Sequence, residues 1–145
     1  MSDTTVRAVP RSFYWIGGIG LVWNLIGVVT YVMQVSISPE SLATMPPEQQ
    51  ALYTDIPVWA TSAYATAVNA GWIGCLLLLL RRKLALPLLV LSLLAVIVQF
   101  GHAYLMTDAL AVLGPASLVL PLLICVIGVF LIWYAWDSAN KNWLH

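Results

Sequence analysis

Apolar residues fall into four long runs that are separated by shorter, more polar connections. Each run is close to the roughly 20 residues that an α-helix needs to cross about 30 Å of hydrocarbon. The predicted spans are residues 12–35, 56–80, 84–106 and 116–136. This pattern predicts an all-α integral membrane protein, a four-transmembrane-helix bundle in which residues 1–145 form a single domain.

The first connection, residues 36–55, is long enough to have structure of its own. Pro39 and Pro47 are each followed directly by a glutamate, and proline and acidic residues both suit the first turn of a helix. We therefore expect one or two short helices here. A lid over a binding site and a plain cap over the helix ends both agree with this expectation.

The basic residues sort to one side of the predicted bundle. They are Arg7, Arg11, Arg81, Arg82, Lys83 and Lys141. The remaining two connections carry Glu40, Glu48, Asp55 and Asp108, and neither contains Lys or Arg. Because positive residues in short loops stay on the cytoplasmic side during insertion, both termini are predicted to be cytoplasmic.

The composition supports a membrane protein and argues against a nucleic-acid-binding protein. The chain is 61% hydrophobic and 8% charged, so its polar groups are too few to cover the surface of a soluble domain of this size. Its formal net charge is zero, which provides no basic surface for nucleic acid. The lipid bilayer is the predicted surroundings, and no nucleic-acid partner is expected.

Polar and small residues recur at helical spacing and show which faces meet protein. In the first span the recurring positions are Gly20, Asn24, Gly27, Tyr31 and Gln34. In the second span Ser62, Thr66 and Asn69 form one stripe, beside a stripe of Ala63, Ala67, Ala70 and Gly74. In the third span Ser92, Ala95, Val96, Gln99, His102 and Ala103 share a face. Residues three and four apart lie on one side of a helix, and small residues let neighbouring helices approach closely.

Most of these polar positions lie in the outer half of the bilayer if the basic residues are cytoplasmic. The candidate ligand-binding residues are His102, Gln99, Gln34, Asn69, Asn24, Tyr31, Tyr64, Thr66 and Ser62. Unpaired amides in hydrocarbon cost several kcal/mol, so these groups either line an outward-facing polar cavity, floored by Asn24 and Asn69, or pair with each other. Polar side chains often serve only as contacts between membrane helices. The sequence leaves both interpretations open.

His102 is the single ionisable residue deep in a span apart from tyrosines. Ionisable groups inside the membrane are functional candidates. A neutral imidazole that is hydrogen-bonded to Gln34, Tyr31 or Asn69 would instead have a structural role.

Several chemistries lack the residues that they require. A haem held by two histidines needs a partner for His102 within the membrane, and a thiol redox centre needs a closer pair than Cys75 and Cys125. Proton-coupled export typically uses an intramembrane carboxylate, and no predicted span contains Asp or Glu. Metal-ligand and phosphate-binding motifs are also missing from the sequence. We therefore expect a non-enzymatic protein with no catalytic residues, cofactor or metal.

Five short segments resemble a family of small four-span bacterial membrane proteins. They are W-N-x-x-G at residues 23–27 with Tyr31 and Gln34, P-E-Q-x-x-x-Y at 47–53, P-V-W at 57–59, L-L-L-L-L-R-R-K at 76–83, and W-Y-A at 133–135. Members are often labelled sugar transporters, a label without an established mechanism. The resemblance covers nearly the whole chain. It implies a bacterial inner-membrane location and an outward-facing solute site, without assigning binding residues.

Two classes of function fit these observations. The first is a protein that binds or translocates a small polar solute or a lipid, working as a homo-oligomer because four helices are few for alternating access. The second is an accessory or assembly subunit of a larger membrane complex, in which the polar faces contact other helices.

Overall fold

The computed structural model describes residues 7–145, so the first six residues of the predicted domain lie outside it. Within that range the secondary structure is entirely helical. The helices are α1 (Arg11–Val35), α2 (Pro39–Ala43), α3 (Pro47–Thr54), α4 (Val58–Leu79), α5 (Ala85–Leu105), α6 (Ala109–Leu113), a 3-10 turn (Pro115–Leu118) and α7 (Val119–Asn140).

Four of these helices, α1, α4, α5 and α7, are long and apolar enough to cross a membrane. This confirms the predicted fold, an all-helical integral membrane protein with four spans. Helices α1, α4 and α5 begin and end within two residues of the predicted spans. Helix α7 continues four residues beyond the predicted end at Trp136, to Asn140. The cytoplasmic position of the termini stays a prediction.

Helix α4 packs between α1 and α5, and α7 packs against α5. The stripe of small residues in α4 makes the close α4–α5 contact possible. A Cβ atom on Gly74 would lie 3.3 Å from the backbone nitrogen of Leu89, so only glycine fits there without displacing α5. Further along the same interface, towards the N-terminus of α4, the hydroxyl of Ser92 donates a 2.7 Å hydrogen bond to the carbonyl of Ala67. Small residues in α4 therefore bring two helices together, as predicted.

One end of the bundle, which we call the basic end, carries Arg11, Arg81, Arg82, Lys83 and Lys141. The hydrophobic core is concentrated in this half. Its buried residues are Phe13, Cys75, Leu78, Ala85, Leu89, Leu131, Tyr134, Ala135 and Leu144. Here α1 and α7 touch, with the rings of Phe13 and Tyr134 6.1 Å apart between centroids.

Residues 141–145 fold back against the connection between α4 and α5. The guanidinium of Arg81 donates a 2.7 Å hydrogen bond from Nε to the carbonyl of Trp143. The backbone N–H of His145 donates to the carbonyl of Arg81, and that of Lys83 donates to the carbonyl of His145. Leu144 is buried in the core as a result. The basic end is thus closed by packed side chains and by hydrogen-bonded backbone.

The opposite end, which we call the loop end, carries α2, α3, α6 and the 3-10 turn. The hydroxyl of Ser38 caps α2 by accepting a hydrogen bond from the N–H of Ser41, and Pro39 and Pro47 lie in the first turns of α2 and α3. The two short helices predicted for the first connection are therefore present. Helix α3 reaches across to contact α6, so these short helices cover the ends of the long ones.

Candidate functional site

Inside the bundle, towards the loop end, lies a cavity of about 340 Å³ that all four long helices line. Its wall is formed mainly by apolar side chains. The lining residues are Trp23, Asn24, Ile26, Gly27, Thr30 and Gln34 of α1, Tyr64, Ala67 and Val68 of α4, Leu89, Ser92, Leu93, Val96, Gln99 and Phe100 of α5, and Leu120, Ile124, Ile127, Gly128 and Leu131 of α7. Its volume lies at the lower end of the range for small-molecule sites, about 300–1,000 Å³. We call it the deep cavity.

A second cavity of about 200 Å³ lies at the loop end itself, and we call it the outer cavity. Its lining is richer in polar groups. The lining residues are Gln34, Gln49, Leu52, Tyr53, Ile56, Ala60, Thr61, Tyr64, Gln99, Phe100, His102, Ala103, Tyr104, Thr107, Ala109 and Leu113. Helix α3 forms part of this wall, so the first connection covers the cavity.

Four residues line both cavities: Gln34, Tyr64, Gln99 and Phe100. Two carboxamides and a phenol therefore stand at the boundary between an apolar compartment and a polar one. Helices α1, α4 and α5 each contribute one of these three polar residues, Gln34, Tyr64 and Gln99.

Asn24 lies on the inner wall of the deep cavity, where its amide is held by two hydrogen bonds. Its Nδ2 donates to the carbonyl of Gly20 at 2.8 Å and to the sulfur of Cys75 at 3.4 Å. Its Oδ1 packs against Gly71, at a position that leaves no room for a Cβ atom. Asn24 thus fastens α1 to α4, and both hydrogen bonds of its Nδ2 are made within the bundle.

Gln34, Gln99 and His102, near the loop end, do not fasten one helix to another through hydrogen bonds within the described part of the chain. The side-chain hydrogen bonds of the lining residues come from Asn24, Thr30, Ser92, Tyr104 and Thr107, and none within residues 7–145 involves the side chain of Gln34, Gln99 or His102. His102 instead packs edge to face against the indole of Trp59. These amide and imidazole groups remain free to bond a ligand or water.

Tyr31 lies beside the cavities and outside both linings. Its ring packs edge to face against that of Tyr64, with centroids 5.2 Å apart. Tyr31 therefore supports a lining residue from α1.

The second-span stripe differs from its predicted position. Ser62, Thr66 and Asn69 lie on the exposed face of α4, and none of them lines either cavity, so Asn69 does not form a floor with Asn24. Two of them bond their own helix: Thr66 donates to the carbonyl of Ser62, and Asn69 to that of Ala65, both at 2.8 Å. The neighbouring stripe of alanine and glycine is buried instead, because close helix packing requires small side chains more than it requires polar ones.

The deep cavity opens sideways between α1 and α7. These helices touch near the basic end, where a Cβ atom on Gly20 would lie 3.1 Å from a methyl group of Leu131. Beyond that point they separate, and the lining residues Ile26 and Leu120 are 56% and 57% exposed. Residues that line a cavity and are also exposed mark its mouth. In a bilayer this mouth would face acyl chains.

The electrostatic surroundings of the loop end are acidic. The acidic residues Glu40, Glu48, Asp55 and Asp108 belong to the connections at this end, and no Lys or Arg occurs between Arg11 and Arg81 or between Lys83 and Lys141. Within residues 7–145 no group of three or more His, Cys, Asp or Glu side chains is placed to hold a metal ion. The site therefore offers hydrogen bonds and apolar surface, without a cation for an anionic ligand.

Sequence reasoning missed three of the residues around the outer cavity. The ring of Trp59 packs on His102. Gln49 and Tyr53 of α3 line the outer cavity. Together with Leu52 they recur at three- and four-residue intervals, and this helical spacing could have identified the face of α3 that covers the site.

We found no match to this chain among protein-family models, curated proteins or solved structures. The fold and the two cavities are therefore the basis of any functional assignment, and the family resemblance stays a prediction.

Proposed function

We propose that this protein binds a small solute or a lipid in the two adjoining cavities, reached from outside the cell. One observation carries the proposal: Gln34 and Gln99 stand between an apolar and a polar compartment, and their amides have no partner within residues 7–145. Unpartnered amides are costly away from water. A ligand or water that bonds them would remove this cost.

The outward direction is supported by the position of the basic residues. They gather at the closed end of the bundle, which the positive-inside rule assigns to the cytoplasm. The cavities lie at the other end. Since the packed core separates the deep cavity from the basic end, translocation would require a larger conformational change or a path between several copies.

Chemical labelling tests the outward cavity directly. A Gln99→Cys variant should react with a membrane-impermeant maleimide added to the outside of intact cells, because position 99 lines both cavities. The matched control is Ile97→Cys, on the exposed face of the same helix, where lipid should keep the thiol from ionising. Equal labelling of both variants, or of neither, would contradict an outward, water-filled cavity.

Ligand binding is tested with two probes of different class, glucose and monooleoylglycerol, on protein in phosphatidylcholine nanodiscs. At least one probe should raise the unfolding temperature of the wild type. Gly27→Leu should lose the effect, because Gly27 lines the deep cavity and an added Cβ would meet only Val68, at an ordinary 3.4 Å. Gly101→Leu should keep it, because that position is open and lines neither cavity. If neither probe acts on the wild type, the proposed function fails.

A second candidate function, an accessory or assembly subunit of a membrane complex, is favoured by the exposed stripe of Ser62, Thr66 and Asn69. These polar side chains face outward at the level of the membrane, where a partner helix would bury them. A partner protein should then copurify in a fixed ratio, and the isolated chain should be unstable. Retention of a folded, ligand-binding monomer would instead favour the first function.

A further inference from the structure

We infer that the ligand is a single-chain lipid with an uncharged, hydrogen-bonding headgroup, and that its chain enters the deep cavity sideways between α1 and α7. This inference rests on the proposed function and names its ligand class. It differs from the solute site that the family label implies, because the lining and the mouth of the deep cavity both favour a hydrocarbon chain.

The lining is the first reason. Several polar groups at the deep cavity are already occupied: Asn24 bonds Gly20 and Cys75, Ser92 bonds Ala67, and Thr30 bonds the carbonyl of Ile26. The remaining inner wall is formed mainly by leucine, isoleucine and valine side chains, together with the rings of Trp23 and Phe100. A polyhydroxylated solute placed there would lose its hydrogen bonds to water without replacement. A hydrocarbon chain would lose none.

The length of the deep cavity is the second reason. It extends along α1 from Gln34 to Asn24, and ten residues at 1.5 Å each correspond to about 15 Å. Half of a hydrocarbon core of about 30 Å is the same length. The compartment is therefore about as long as the acyl region of one leaflet, and it ends at the packed core near Leu131.

The mouth is the third reason. The exposed lining residues Ile26 and Leu120 belong to membrane-spanning segments, so the opening between α1 and α7 faces lipid. A lipid can leave the bilayer through this opening without its chain crossing water. A solute from the aqueous phase would have to enter through the outer cavity beneath α3.

The lining of the outer cavity indicates the chemistry of the lipid headgroup. Gln34, Gln99 and His102 supply amide and imidazole groups that can donate and accept hydrogen bonds. Among residues 7–145 no lysine or arginine lies on this side of the bundle, and four carboxylates do. A phosphate headgroup would meet repulsion and no counter-charge, whereas a glycerol or other neutral headgroup can satisfy the free amides.

The test compares probes with one oleoyl chain and different headgroups: monooleoylglycerol (neutral), oleoyl lysophosphatidic acid (anionic) and oleoylcholine (cationic). Each is added at a low mole fraction to phosphatidylcholine nanodiscs that contain the protein, and bound lipid is counted by native mass spectrometry. We expect one monooleoylglycerol per chain, with about tenfold preference over the other two probes. Gly27→Leu should lower this binding by about tenfold, and Gly101→Leu should leave it unchanged.

The outcomes separate the inference from the proposed function. If glucose stabilises the protein and monooleoylglycerol does not bind, the lipid inference is overturned while the proposed function stands. If neither probe binds, both fail. Equal binding of the anionic or cationic probe overturns the headgroup assignment. Binding that Gly27→Leu does not reduce would show ordinary surface lipid, and it also overturns the inference.

Entry between α1 and α7 has its own readout, the rate at which monooleoylglycerol transfers from labelled vesicles into the protein. Ile26→Trp at the mouth should slow this transfer. The matched control Val22→Trp, about one turn away on α1 and also exposed but outside the lining, should leave the rate unchanged. An unchanged rate in Ile26→Trp would overturn lateral entry.

Discussion

The imidazole of His102 packs edge to face against the indole of Trp59, with ring centroids 5.0 Å apart and an angle of 85° between the rings. Trp59 lies in the first turn of α4 and His102 in the last turn of α5. The pair therefore joins the two helices at the loop end, beside the outer cavity. His102 can contribute to packing through its ring and to a ligand through its nitrogens, and substitutions can separate these contributions.

His102→Phe retains a ring for Trp59 and removes the nitrogens. We expect the free energy of unfolding to stay close to that of the wild type, while binding of monooleoylglycerol weakens by about tenfold, equivalent to about 1.4 kcal/mol. His102→Ala should lose the same binding and in addition lower the free energy of unfolding by about 0.5–1.5 kcal/mol, the contribution of an aromatic pair. Both quantities can be measured in nanodiscs. If His102→Phe binds like the wild type, His102 is a structural residue.

Gly71 tests the contact between α1 and α4. A Cβ atom there would collide with Oδ1 of Asn24 and approach the hydroxyl of Ser92 to 3.1 Å. We expect Gly71→Ala to lower the free energy of unfolding by about 1–3 kcal/mol, as overpacking does. Titration with sodium dodecyl sulfate, followed by circular dichroism, provides the measurement.

Gly18→Ala is the control for that substitution. Gly18 belongs to α1 and has no atom within 4 Å of an added Cβ. Its replacement should leave the free energy of unfolding unchanged or raise it by up to about 1 kcal/mol, because alanine favours helix more than glycine does. Equal destabilisation by both substitutions would show that the Asn24–Gly71 contact is not special.

Arg81 tests how the basic end is closed. Its backbone adopts a positive φ of 60°, and its side chain bonds the carbonyl of Trp143 at 2.7 Å. Arg81→Ala should lose that bond, at about 1.5–3 kcal/mol, and keep the strained backbone. Arg81→Gly should lose the bond too but relieve about 1–2 kcal/mol of strain.

The expected order of stability is therefore wild type, then Arg81→Gly, then Arg81→Ala, as measured by unfolding in detergent. Arg82→Ala, at an exposed neighbouring position, should behave like the wild type. If Arg81→Ala proves as stable as Arg82→Ala, the hydrogen bond to Trp143 does not help to close the basic end.

The orientation of the bundle can be tested with two single cysteines. Glu40→Cys places a thiol on the exposed surface of α2 at the loop end, and Arg82→Cys places one at the basic end. With the basic end in the cytoplasm, an impermeant maleimide should label Glu40→Cys in intact cells and Arg82→Cys only after permeabilisation. The reverse result would invert the topology and place the cavities on the cytoplasmic side.

Asn69 tests whether the exposed stripe of α4 binds a partner helix. Its amide bonds the carbonyl of Ala65 and accepts from Trp72 Nε1, which leaves one N–H available to a second chain. If α4 docks a partner or another copy, Asn69→Leu should weaken association by about 0.6–2 kcal/mol, as measured by energy transfer between labelled chains in vesicles. Binding of monooleoylglycerol should be unaffected, since Asn69 lines neither cavity. Unchanged energy transfer would leave the stripe without a partner.

Several parts of the site could be anticipated from spacing. The face of α1 that carries Gly20, Asn24, Gly27 and Gln34 points into the bundle, and so does the face of α5 that carries Ser92, Gln99 and His102. Each of these helices has one face on which polar and small residues recur, so the spacing alone indicates which face points into the bundle. Local periodicity was sufficient because no second face competed with it.

Helix α4 offered two such faces, and periodicity could not choose between them. Ala67, Ala70 and Gly74 face the interior of the bundle because their small side chains allow α5 to approach the backbone of α4. Thr66 and Asn69 could remain outside because their own helix supplies carbonyl partners. The choice depends on the shape of the neighbouring helices, which does not appear in the sequence of α4.

The amino-acid sequence was sufficient to predict the four apolar helices, the short helices of the first connection and the position of the basic residues at one end. These features follow from hydrocarbon thickness, proline geometry and the order of charges along the chain, all of which are local properties. The packed core of the basic half and the cavities of the other half could be seen only in the folded bundle. The boundary between the two halves is the contact of Gly20 with Leu131, because α1 and α7 separate beyond it. The space between them depends on side chains from four helices, so it does not follow from the sequence of any one helix.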